Sequence, residues 1–98
     1  MAFPIRYSTR AYIEYEQILE YVSTKFGIEI AMKVDQYFEE VLEQISLNPY
    51  MFPLSDKKKD VRRCVISEQT TLYYRFTKEY IELISFRGNK MNPESLGF

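Results

Sequence analysis

The chain contains no histidine among its 98 residues. That removes the side chain most used as a general base near neutral pH, and the commonest metal ligand. There is one cysteine, Cys64. It rules out an internal disulfide, and without histidine it leaves too few soft ligands for an ordinary zinc site. No apolar run approaches the ~18 residues a membrane-spanning helix needs, and no charged-then-apolar leader opens the chain. There is no repeat, low-complexity segment or linker. The expectation is a single cytoplasmic domain, residues 1–98, with no membrane contact, no metal and no cofactor.

What the chain does have is aromatic weight. Nine tyrosines and seven phenylalanines supply large rings that help a short chain bury enough area for a core. The net charge of -1 argues against a non-specific nucleic-acid binder, and no sequence-specific DNA binding is expected. The charge is unevenly placed, however. Residues 1–50 hold eight acids and four bases, and residues 51–98 hold six acids and nine bases. An acidic front half precedes a basic second half.

The second half is organised around three short runs rich in β-branched and aromatic residues: Val61–Ile66, Thr70–Phe76 and Tyr80–Arg87. The gaps between them are a few residues long, which suits hairpins and excludes crossovers, so an antiparallel meander is expected. In the middle run Leu72, Tyr74 and Phe76 alternate with Thr71, Tyr73 and Arg75. The first set faces a core and the second faces away. In the third run Ile81, Leu83 and Ser85 share one face, while Tyr80, Glu82, Ile84 and Phe86 share the other. Both faces are partly apolar, so this strand is expected to be central and covered on both sides.

Upstream, Ile5–Tyr7 reads as a short edge strand, with Pro4 tolerated at its start. Ser8 or Thr9 offers a helix cap. From Arg10 to Phe26 the apolar positions Ala11, Tyr15, Ile18, Leu19, Val22 and Phe26 fall on one helical face, with Glu14 on the other side. Gly27 supplies a left-handed stop. A second helix, Ile28 to Leu47, carries Ala31, Val34, Phe38, Val41, Leu42 and Ile45 inward, and Asp35, Glu39, Glu40 and Glu43 outward; Asn48-Pro49 ends it. The fold class is therefore α+β: an N-terminal edge strand, an antiparallel helical hairpin, then a three-stranded antiparallel meander with the helices packed on one sheet face.

Metal-free RNA cleavage would need a base, a phosphate-binding cation and an acid. The cations are Arg62, Arg63, Arg75, Arg87, Lys57–Lys59, Lys78 and Lys90; Tyr73, Tyr74 and Tyr80 offer stacking rings or protons. The lysine run reads either as a solvated loop or as a phosphate-facing one. Tyr74 reads as core, and Cys64 as a small strand residue.

Taken together, YSTRAYIEYEQILEYV followed by FG, then ISLNPYMFP, VRRCVISEQTTLYYRF and YIELISFRGNKMNPESL give a familiar order and spacing. The chain resembles the RelE/ParE superfamily of toxins from type II toxin–antitoxin systems along nearly all of its length. The resemblance implies a small cytoplasmic toxin neutralised by a cognate antitoxin that covers its sheet face and helices; Ile84, Phe86 and Tyr73 would contact it. RelE-like members cut mRNA on the ribosome, whereas ParE-like members poison DNA gyrase without nuclease activity. RelE-like enzymes carry an arginine late in the first meander strand, where Ile66 stands here. They carry a basic residue after the last strand, where Lys90 matches. They end in a catalytic Tyr or His-Tyr pair, where this tail has only Leu96 and Phe98. The resemblance thus implies a ParE-like gyrase inhibitor that serves plasmid stabilisation, with Arg62, Arg63, Arg75 and Lys90 as target contacts and no assigned catalytic residue. The alternatives are a metal-independent, ribosome-dependent endoribonuclease using Arg62, Arg63 and Lys90 on the phosphate, or a non-toxic antitoxin-binding module.

Overall fold

Ser8 begins the helical layer. Its Oγ accepts from the Ala11 N–H at 3.0 Å, which caps helix α1 (Thr9–Phe26), and its hydroxyl donates to the Ile84 carbonyl at 2.9 Å. One side chain thus satisfies an orphan amide of the helix and ties the helix to the sheet. Gly27 ends α1 at φ 97° and ψ 163°, and α2 (Ile28–Leu47) starts at the next residue. The conformation is extended rather than helical, because the chain must reverse at a single residue. Its positive φ still calls for glycine.

A computed structural model describes residues 2–56, 58–67 and 70–88. The four strands are β1 (Ile5–Tyr7), β2 (Arg62–Val65), β3 (Thr70–Phe76) and β4 (Ile81–Gly88). Their order in the sheet is β1-β4-β3-β2. The meander β2-β3-β4 is antiparallel, as its short turns require, and β1 lies parallel to β4 at the sheet edge, so the sheet is mixed. The helical hairpin packs on one face. Leu72, Tyr74, Ile81 and Leu83 point into that layer and meet Ala11, Phe38, Leu42 and Ile45, all buried. Tyr74 is a core residue, and its hydroxyl donates to the buried Pro49 carbonyl at 2.8 Å. Among the described residues no helix is long and apolar enough to cross a membrane.

Strict alternation fails in β4. Tyr73 pairs with Ser85 but Tyr74 pairs with Leu83, so Ile84 is an extra residue, a β-bulge. The bulge resets the side-chain parity. Ile81 and Leu83 face the helices before it, and Phe86 faces them after it. The expectation that Phe86 lies with Ile84 on the far face is therefore corrected: Phe86 is 3% exposed and stacks on Phe38 at 6.0 Å between ring centres, with Tyr15 at 5.3 Å. Two carboxylates expected outward are also drawn in. The Tyr15 hydroxyl donates to Asp35 Oδ1 between the helices. Glu14 Oε1 accepts from the Ser85 hydroxyl at 2.7 Å and from the Phe86 N–H at 3.2 Å. The pairing of β1 with β4 stops at Leu83, so Glu14 covers part of the strand edge that β1 is too short to reach.

Candidate partner-binding site

The hairpin is longer than the sheet beneath it. Towards Gly27 its apolar side chains run out of strand to cover, and Tyr21, Phe26 and Ile30 are exposed. The overhang leaves an open groove of about 1040 Å³ between the helices and the ends of β3 and β4, with Ile18, Val22, Ile30, Val34, Phe38 and Phe86 among its walls. Glu14 and Arg87 lie at its sheet side, 3.9 Å apart between Oε2 and Nη1, and Lys33 also lines it. A concave, mainly apolar surface with a few charged groups at its rim suits an amphipathic helix of a partner. The Tyr37 hydroxyl donates to the Ile66 carbonyl at 2.9 Å and so braces the groove wall against the end of β2.

The basic residues of the sheet do not converge. Arg62 donates from Nη1 to the Phe52 carbonyl at 2.6 Å, and its guanidinium lies 5.3 Å from the Tyr50 ring centre and 5.5 Å from that of Phe76. Those two rings meet edge-on at 4.8 Å. Arg62 is thus held in an aromatic bracket with Tyr50 exposed beside it. Arg63 alternates to the opposite face, level with Tyr73, and is exposed. Arg75 pairs through Nε with Glu82 Oε1 at 2.8 Å, directly across the strands. Lys90, Lys57, Leu96 and Phe98 lie outside the described residues.

The remaining sequence candidates are spread further. Ile66, which stands where RelE-like enzymes place an arginine, is buried in the core. Tyr73 lies on the face away from the helices, as alternation implied, but only 5% of it is exposed. Ile84 is half-buried at the bulge. The ring of Tyr80 carries the Arg6 guanidinium 4.4 Å from its centre. Burial pushes the Cys64 thiol up to about 11, which makes it a poor nucleophile. Among the described residues no three His, Cys, Asp or Glu side chains cluster as metal ligands would.

The sequence reasoning missed the groove, Glu14 and the Tyr50–Arg62–Phe76 bracket. Glu14 had a signal: it sits three residues after Ala11 and four before Ile18, on the margin of the apolar stripe. The bracket had none, because Tyr50 lies in an irregular segment.

No protein-family model and no curated protein sequence matches the chain. Solved structures do match it. The chain is similar to one from the chromosomal ParDE TA system of P. aeruginosa, at TM-score 0.76 and 13% identity over 89% of this chain and 96% of that one. It is similar to the YoeB dimer structure from Staphylococcus aureus, at TM-score 0.63 and 16% identity over 89% and 97%. It is similar to a chain of the E. coli DinJ-YafQ toxin-antitoxin complex, at TM-score 0.59 and 13% identity over 99% and 100%. The chain has the fold of the RelE/ParE-type toxins that the sequence resemblance implied.

Proposed function

We propose that the chain is the toxin of a type II toxin–antitoxin pair, neutralised by a cognate antitoxin and acting on DNA gyrase by protein–protein binding. The observation that carries the antitoxin half is the apolar groove under the overhanging hairpin. It is large enough for an amphipathic helix, and it exposes side chains that a lone soluble domain gains nothing by leaving in water. Of the residues first assigned to the antitoxin, Phe86 fits this reading best, since it lines the groove rather than the far face.

The choice of target is supported by the dispersal of the cations. Phosphoryl chemistry without a metal needs a cation and proton-transfer groups within hydrogen-bond reach of one another. Arg62 and Arg75 are engaged with the chain itself, Arg63 lies on another face from Arg62, and histidine is missing from the sequence. A binding surface can tolerate such dispersal and an active site cannot. In this reading Arg62, Arg63, Arg75 and Lys90 contact the target across a broad, partly aromatic surface.

The test is induction of the chain with and without the adjacent reading frame, followed by assay of purified gyrase. The expected result is growth arrest relieved by the neighbour's product, with loss of ATP-dependent supercoiling. Unchanged supercoiling accompanied by cutting of ribosome-bound mRNA would replace gyrase with the ribonuclease reading. Normal growth on induction would leave only a non-toxic antitoxin-binding module.

A further inference from the structure

The two outer edges of the sheet end differently. At the β2 edge the incoming loop lies alongside: Leu54 bridges to Arg62, and the Arg63 N–H donates to the Pro53 carbonyl at 2.9 Å. The β1 edge is open. Its even-numbered neighbours turn their backbone groups inward, with the Ile81 N–H donating to the Pro4 carbonyl at 2.8 Å and the Ser8 N–H donating to the Leu83 carbonyl at 2.9 Å. Odd residues therefore turn theirs outward. Phe3 is satisfied there by Ser46: its N–H donates to the Ser46 carbonyl at 2.9 Å and its carbonyl accepts from the Ser46 hydroxyl at 2.7 Å. Ile5 and Tyr7 follow, and among the described residues no strand or loop pairs with their outward N–H and C=O groups.

A concavity of about 580 Å³ lies against this edge, with Ile5 and Tyr7 on one side and Glu39, Glu40 and Glu43 of α2 on the other. Among the described residues none of the three carboxylates takes part in an ion pair. Glu39 and Glu43 stand one helical turn apart, where like charges repel. An exposed row of backbone groups beside an uncompensated negative surface is a template with a stated charge preference.

We propose that the outer edge of β1 receives an extended segment of a partner protein bearing lysine or arginine at alternate positions, which adds a fifth strand to the sheet. Side chains of an added strand alternate between the two sheet faces. Those on the helix side project over α2 onto Glu39, Glu40 and Glu43, so basic residues belong at every second position. A second copy of this chain does not fit, because pairing β1 on β1 would bring two such acidic clusters together. The proposal rests on the edge and the carboxylates and stands apart from the toxin reading.

The test uses the full chain and two short synthetic peptides, one alternating lysine with valine and one alternating glutamate with valine, at low ionic strength. The lysine peptide is expected to bind, to slow amide hydrogen exchange at Ile5 and Tyr7, and to shift NMR signals along β1 and the Glu39–Glu43 flank; the glutamate peptide does none of this. Combining Glu39→Gln with Glu43→Gln should weaken binding roughly ten-fold, as loss of complementary charge does. A lysine peptide N-methylated along its hydrogen-bonding edge should not bind. Unchanged exchange at Ile5 and Tyr7 at saturation overturns the proposal, as does full binding by the N-methylated peptide, equal binding by the double variant, or binding in the apolar groove instead.

Discussion

At the Ser8 end of the hairpin Ala11, Leu42 and Ile45 are buried against the sheet, while at the Gly27 end Phe26 is 58% exposed and Ile30 41%. The amphipathic pattern is the same at both ends. What differs is whether a strand lies underneath. β3 and β4 cover the first turns of α1 and the last turns of α2, and the opposite turns project past them. Periodicity therefore reports which side chains share a face, and the extent of the neighbouring layer decides which of them are buried. The closed end supplies stability and the open end supplies a surface.

The sharpest way to test that division is to cut equivalent apolar side chains at each end. Ile45→Ala at the closed end should cost about 2–5 kcal/mol, because a fully buried site loses both transfer energy and packing. Phe26→Ala at the open end should stay within about 0.5 kcal/mol. Urea denaturation of both variants measures the difference, and equal losses would erase the distinction. A smaller effect is expected at Tyr74. Tyr74→Phe keeps the ring but strips the buried Pro49 carbonyl of its donor, and a loss of about 1–3 kcal/mol should follow in the same measurement.

The alkaline response reads the closed end through its protons. Burial pushes Tyr7 and Tyr74 from 10.0 up to about 12, and Cys64 from 9.0 up to about 11. Burial, together with the bond to Asp35, raises Tyr15 as well. The folded state holds these protons more tightly than the unfolded chain does, so ionisation favours unfolding. Stability should be at its full value below about pH 9 and should fall as pH rises through about 9–12. Denaturation midpoints across that range, with Tyr7→Phe flattening part of the slope, give the check. A small effect is also expected on the solvent-facing side of the sheet. Arg75→Ala breaks a pair with Glu82 that is largely exposed, and should cost about 0.2–1 kcal/mol. That loss should shrink further in high salt.

Much of this architecture is legible in the residues. β1, α2 and β3 have the bounds that apolar periodicity, Gly27 and Asn48-Pro49 imply, and Ser8 caps α1. β2 is shorter than its apolar run: Val61 and Ile66 are buried but fall just outside the strand at either end. The candidate site was less legible. Arg62 and Arg63 were visible as cations, but the engagement of Arg62 with Phe52, Tyr50 and Phe76 depends on where an irregular loop returns to the sheet. Phe86 was placed on the wrong face because an alternation count assumes an unbroken ladder, and one inserted residue at Ile84 inverts everything after it.

By itself the sequence determined the α+β class, the helical hairpin, the antiparallel meander and the absence of histidine chemistry. Each follows from short-range periodicity, turn length or plain composition. Only the tertiary structure decided that β1 lies parallel to β4, that Glu14 covers the edge β1 leaves bare, and that the hairpin overhangs its sheet. Those outcomes depend on how far elements distant in the chain extend beside one another, a length match that no local pattern encodes.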